Sequence, residues 1–272
     1  MGLSAIYNNV AAHYAVADQF GSISKSHEIA FKQIAESKLM HLNRANVLDL
    51  GVGDGGFLEG LNHILPNAHY TGIDISSEML SLAKLRLPLT AIEASAGDAH
   101  RLLPPHSQDL VIAHFINAYM PITQLFSEAK MMTKANGYYS FITTTYESFP
   151  NAQAQLAKFI AEDSLVSRVV GHYYKAIVRN TTVASGLKDL FEAFDGHDFK
   201  ILKHTRLEIP IVLNNVDELA LFGIEGTWFL NSLTIKMLPK NFLIARLKRL
   251  FSHIFTFPYH DTHVIDVILA EK

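Results

Sequence analysis

The run Val47-Leu48-Asp49-Leu50-Gly51-Val52-Gly53-Asp54-Gly55-Gly56 constrains this chain more than any other feature. Four residues with strand character lead straight into glycines at 51, 53, 55 and 56. Without Cβ atoms the backbone can turn sharply and lie against a ligand, and the helix that follows offers free N–H groups to an anion. The spacing fits two loops. Gly51, Gly53 and Gly55 suit one nucleotide-like cofactor, while Gly51, Gly53 and Gly56 satisfy the dinucleotide pattern GxGxxG.

Strand and helix signals alternate around this turn. Strands are expected at 46–50, 69–74, 90–94, 109–114 and 138–144, separated by helices at 55–64, 77–87 and 122–133. Short strands, apolar along their length and alternating with helices, describe a parallel sheet covered on both faces. The fold class is α/β, doubly wound and mostly parallel. Residues 1–40 read as two helices, with Ile6, Tyr7, Val10, Tyr14 and Ala17 recurring at helical spacing. The second half reads as helix over 151–180, helix over 185–193, strand over 198–211 and a last strand over 262–270. Two helical runs, 217–222 and 241–255, fall between those last strands. A single domain over 1–272 is expected: a helical cap (1–40), a cofactor-binding core (41–145) and a substrate-side half (146–272). A connection as long as 213–260 is usually functional, and a lid over the pocket is expected of it.

The 272 residues are 49% hydrophobic and only 18% charged, enough for a large core. A net charge of −3 provides no global field for phosphate backbones, so nucleic acid is not the expected partner. The absence of cysteine removes disulfides, thiolate nucleophiles and cysteine-based zinc sites. No apolar run approaches the ~20 residues that span a bilayer, and a cytoplasmic location is expected.

Three acids frame the glycine turn. Asp74 ends the second strand, where its carboxylate can accept from both ribose hydroxyls. Asp98 follows the third strand, where a carboxylate can accept from an adenine amino group. Asp49 lies two residues before Gly51 and can hold the loop and face a cationic amino group. Dinucleotide enzymes share the first acid and do not require the second.

With these residues the chain resembles the class I S-adenosylmethionine-dependent methyltransferases, small-molecule type. Asp49-Leu50-Gly51-Val52-Gly53-Asp54-Gly55 matches the family's first motif; Asp74, Asp98-Ala99 and Asp109-Leu110-Val111-Ile112 follow in order. The resemblance covers roughly residues 7–145. It implies a seven-strand sheet with a reversed last strand and S-adenosylmethionine as cofactor. It also implies that Ile75 packs on the adenine, that Ala113 and His114 face the methionine end, and that Tyr14 closes over the cofactor carboxylate. Ala99 belongs to the implied adenine motif.

The expected activity is in-line methyl transfer to oxygen or nitrogen of a small, partly apolar acceptor, with His114 as the candidate general base. The nucleic-acid amino-methyltransferase signature is missing after the fourth strand, which reads Ala113-His114-Phe115-Ile116-Asn117. An S-adenosylmethionine-binding protein without transfer, and an NAD-dependent oxidoreductase, are the alternatives. His260, Asp261 and His263 are metal-type side chains, but they enter a strand with alternating faces, so no metal centre is expected. Residues 240–255 carry Leu243, Leu247, Leu250 and Ile254 opposite Arg246, Arg249 and His253. A lid helix packed on core and substrate is expected there, with membrane-surface contact as the alternative. Trp228 is the lone tryptophan and a candidate pocket wall.

Overall fold

The computed structural model describes residues 4, 7–8, 17–180, 182–225 and 240–272. Seven strands form one sheet in the order β3-β2-β1-β4-β5-β7-β6: β1 (Asn46–Leu50), β2 (His69–Asp74), β3 (Thr90–Glu93), β4 (Gln108–His114), β5 (Thr133–Thr144), β6 (Lys200–Leu213) and β7 (Tyr259–Glu271). β1 pairs in parallel with both β2 and β4, and β7 runs antiparallel between β5 and β6. The sheet winds one way from β1 to β3 and the other way from β4 onward. Its switch point therefore lies between the carboxyl ends of β1 and β4, where ligands of such sheets bind.

Side chains of successive strand residues leave opposite faces, and each face is apolar. Val47, Leu110, Ile112, Ile142, Val267 and Leu269 build one core, which α1 (Ser22–Ala35) and α2 (Gly56–Asn62) cover with Ala30, Ile34, Phe57, Leu58 and Leu61. Leu48, Leu50, Val111, Phe141 and Ile268 build the other core, covered by α5 (Ile122–Met132) and α8 (Leu187–Asp195) through Leu125, Phe126, Leu190 and Phe194. α3 (Ser77–Arg86) and α4 (Ala99–Leu102) flank β3. α6 (Pro150–Ala161), α7 (Leu165–Asn180), α9 (Val216–Ala220) and α10 (Lys240–Ile254) belong to the second half.

The sequence pattern places the core elements within a few residues of their observed bounds, and the departures have local causes. Of the two helices expected in residues 1–40, α1 is the second, and its buried face opens with serines. Ser26 Oγ donates to the Ser22 carbonyl, and Ser22 Oγ lies 2.9 Å from His263 Nδ1. The expected helix over 151–180 is two helices, broken where Asp163 adopts φ 54. β7 starts at Tyr259, three residues before Thr262, because its pairing with β6 continues to Leu213 opposite Tyr259. The insertion between these strands is therefore 214–258. Its described residues pack on the first core, through Leu219 and Phe222 and, from the second helix and its end, Phe251, Phe255 and Phe257. Lys248 Nζ lies 2.8 Å from Asp217, tying α10 to α9. Trp228 lies outside the described residues.

Two of the three metal-type side chains of β7 are engaged elsewhere. Asp261 accepts from the Asn151 and Ala152 backbone N–H groups (3.1 and 2.8 Å) at the start of α6, and His263 is buried against Ser22 with Phe149 stacked on it at 4.8 Å. His260 is exposed. Among the described residues no group of acids and histidines is placed to hold a metal ion, and no helix is long and apolar enough to cross a membrane.

Burial pushes His263 down to about 3 and His27, on α1, down to about 4 from the ordinary 6.5. Nearby Asp18 and Asp54 offset part of the His27 shift. The unfolded chain binds these protons from about pH 6.5 downward while the folded chain refuses them, so stability present above that pH is lost as pH falls toward the folded values. Urea unfolding should show each histidine costing about 1.4 kcal/mol per pH unit between about pH 6 and pH 5. His263→Phe should remove one histidine's share of that slope, and an unchanged slope in the variant would contradict the assignment.

Candidate functional site

The glycine turn sits at the switch point. The N–H groups of Gly51 and Val52 donate to the Ile73 carbonyl of β2 at 2.8 and 3.0 Å, and the Gly53 N–H donates to Asp74 Oδ2 at 2.9 Å. The other carboxylate oxygen of Asp74 accepts from the Ser76 N–H at 2.9 Å. One acid thus fixes the glycine loop and the following turn, and keeps lone pairs for a diol. Ser76 in turn caps α3, accepting from the Met79 N–H at 3.2 Å, and lies 2.6 Å from Asn8 Oδ1. Asn8 is thereby tied to the turn that follows Asp74.

Glycine is required here for two different reasons. At Gly55 φ is +79 and an added Cβ would stand 2.9 Å from the Ala83 Cα, so helix α3 packs directly on the loop. At Gly53 φ is +54 and nothing lies within 4 Å of where a Cβ would stand. That open space belongs to a cleft that is open to solvent.

Gly51, Gly53 and Asp74 form the floor of the cleft. Ile73, Ile75 and Met79 line one wall; Ser95 and Ala96 line the next; His114, Phe115, Ile116, Tyr119 and Met120 line the third, and Tyr7 closes on Tyr119 edge-to-face at 5.7 Å. Phe115 is held at φ 55, and its N–H donates to the Ile142 carbonyl at 2.8 Å. A bulky residue in the left-handed region is strained, a feature common at sites of function. It throws the chain after β4 across the cleft.

Burial governs the titration of the site. Asp49 is 4% exposed; burial, with the charge of Asp74 added, pushes its carboxyl up to about 8. Burial also raises Asp74, opposed by the backbone N–H groups of Ser76, Gly53 and Ile75. His114 is held well below 6.5, first by burial and then by His27, whose ring centroid is 5.6 Å away. Its Nε2 lies 3.0 Å from Ser140 Oγ, its ring meets Phe57 edge-to-face at 4.3 Å, and its Nδ1 is buried without a hydrogen-bond partner. This setting opposes the general-base role expected of His114, since a base must accept a charge that the surroundings disfavour.

The structure brings Gly51, Gly53, Asp74, Ile75 and His114 to one cleft. Asp49 and Gly55 support it from beneath. Asp98 and Ala99 do not line it: the Asp98 carboxylate, 41% exposed, pairs with Arg101 at 2.9 Å, and Ala99 is fully buried. The 3₁₀ turn over Ala96–Asp98 carries that side chain past the rim, leaving Ser95 and Ala96 as the wall. Tyr14 lies outside the described residues, and Tyr7 from the same segment reaches the cleft. Tyr7, Met79, Ser95, Ile116, Tyr119 and Met120 escaped the sequence reading. The helical spacing of Ile116, Tyr119 and Met120 directly after β4 was the available signal for three of them.

Residues 47–137 match the family model described as a methyltransferase domain. A malonyl-[acyl-carrier protein] O-methyltransferase of Bacillus cytotoxicus is 27% identical over 108 residues, 40% of this chain and 37% of that protein. The trans-aconitate 2-methyltransferase of Afipia carboxidovorans is 36% identical over 86 residues, 31% of this chain and 32% of its own. The chain thus spans well under half the length of these relatives. Among solved structures, the YcgJ protein of Bacillus subtilis superposes with a TM-score of 0.58 at 14% identity, covering 92% of this chain and 98% of its own. Phosphoethanolamine N-methyltransferase 2 of Haemonchus contortus superposes with a TM-score of 0.54 at 14% identity, covering 98% of this chain and 60% of its own. The fold and the matched segment agree with the class I resemblance read from the motifs.

The two glycines should respond differently to substitution. Gly55→Ala combines a positive φ with a backbone clash and should cost about 1–3 kcal/mol, lowering Tm by several degrees. Gly53→Ala, open on its Cβ side, should lower Tm less; the reverse ranking in a thermal melt would refute the packing described.

Proposed function

We propose that the protein is an S-adenosylmethionine-dependent methyltransferase acting on a small acceptor. The observation that carries this reading is the Asp74 carboxylate, clamped by Gly53 and Ser76 at the switch point beside the space that Gly53 leaves open. The donor set fits the cofactor. Asp74 offers acceptor lone pairs to a ribose diol, Ile75, Met79 and Met120 offer an apolar slot to a flat base, and Asp49, buried beneath the floor, would act on a cationic end through its charge once ionised. When bound, S-adenosylmethionine supplies a methyl group on a cationic sulfur.

This chain's residues then hold and orient. Tyr7, Tyr119 and Phe115 narrow the mouth and exclude water, and alignment of the two reactants can account for roughly 7–11 kcal/mol of a bimolecular barrier. The relatives support methyl transfer to acid-bearing acceptors, since one is named for a malonyl group on an acyl-carrier protein and another for trans-aconitate.

Calorimetric titration should show S-adenosylmethionine and S-adenosylhomocysteine binding and NAD inert, with Asp74→Ala losing about 100-fold or more in affinity, as expected when charge-assisted hydrogen bonds are removed. NAD binding in place of the sulfonium compound would sink the reading.

Asp49 adds a pH signature. Protonated below about 8 in the free protein, it must ionise to pair with a cation, so cofactor binding releases a proton. Affinity should therefore rise up to about tenfold per pH unit toward pH 8 and level off above it, with an enthalpy that depends on the buffer. Asp49→Asn should flatten both dependences; a wild-type affinity independent of pH would rule this linkage out.

A further inference from the structure

We propose that Ser140 fixes His114 as a neutral imidazole that donates through Nδ1–H to an oxygen of the methyl acceptor, and that the acceptor enters as a carboxylate. The acceptor half of this statement rests on the methyl-transfer reading; the tautomer half stands on the geometry alone.

Hydrogen-bond accounting selects the tautomer. The Ser140 hydroxyl is buried in β5, and its one hydrogen-bond partner among the described residues is His114 Nε2, 3.0 Å away. Were the proton on Nε2, that group would donate to Ser140, stranding both the serine hydroxyl proton and the bare Nδ1. With the proton on Nδ1, the serine donates to Nε2 and a single group is stranded, the Nδ1–H. Buried polar groups cost roughly 1–3 kcal/mol each when unpaired, so the second arrangement wins.

The consequence is chemical. The basic lone pair of His114 is capped inside the sheet, and burial together with the neighbouring His27 ring resists an imidazolium. An alcohol or phenol that must lose a proton is therefore poorly served. A carboxylate needs no base: its oxygen lone pair forms the new C–O bond as the C–S bond breaks, the C–S electron pair passes to sulfur, and no proton moves. The opposite charges of the two reactants cancel in the products, which suits a cleft walled by Phe115, Ile116 and Met120. What the carboxylate requires from the protein is a neutral donor at the cleft wall; His114 is a residue of that wall, and its Nδ1 is buried there without a hydrogen-bond partner, to be uncovered by the incoming oxygen. The rival is a closed structural contact in which Nδ1–H points at the Phe57 ring, 4.3 Å away.

Long-range ¹H–¹⁵N correlation spectra of histidine-labelled protein decide between them. In the free protein His114 should show a protonated Nδ1 and a bare Nε2; Ser140→Ala should shift the ring toward the other tautomer, and Ser140→Thr should restore it. A protonated Nε2 in the wild type, or an unmoved tautomer in a folded Ser140→Ala protein, overturns the role of Ser140. With S-adenosylhomocysteine bound, acetate, succinate and benzoate serve as carboxylate probes and phenol as the neutral one. Movement of the Nδ1–H signal with at least one carboxylate supports the acceptor class; movement with phenol alone, or with none of them, overturns it. Failure of S-adenosylhomocysteine to bind removes the cofactor reading and the acceptor class with it, while the free-protein spectra still decide the tautomer.

Discussion

The pairing of β1 with β2 on one side and β4 on the other is the constraint on which the rest of this structure depends. Parallel neighbours require crossovers, and crossovers of opposite direction leave a gap where the direction changes. The gap opens beside the turn that holds three alternate glycines at positive φ, at 51, 53 and 55. Asp74 reaches across from the neighbouring strand to hold that turn, so the geometry of the floor is set by strand register rather than by the loop itself. Sequence pairing, turn and cleft are one device.

Around that floor the molecule keeps titratable groups in states they avoid in water. Asp49 is held protonated near neutrality, and His27, His114 and His263 are held neutral, in each case chiefly by burial. His27 and His114 lie side by side, their ring centroids 5.6 Å apart. A low-dielectric lining strengthens the interaction of whatever charge enters and penalises every charge left unpaired. Burial thus disfavours the charged form of both Asp49 and His114.

The floor of the cleft was legible because its signals are local. Glycines after an apolar strand, an acid at the end of the next, and apolar runs of strand length all speak within ten residues of chain. The wall after β4 was not legible. Ile116, Tyr119 and Met120 belong to no motif, and they reach the cleft where the chain turns at Phe115. Asp98 shows the converse, an acid at the expected place in the chain whose side chain a single 3₁₀ turn delivers to Arg101 instead.

By itself the sequence determined the fold class and the position of the glycine turn, since period, turn chemistry and strand ends are properties of neighbouring residues; it assigned the holding of that turn to Asp49, and the structure gives the task to Asp74. Only the tertiary structure decided that Asp49 is buried uncharged, that Ser140, 26 residues from His114, caps its Nε2, and that the long insertion's described residues brace the core. The reason is physical: protonation states and tautomers depend on what lies within a few ångströms in space, and those neighbours come from strands and helices far apart in the chain.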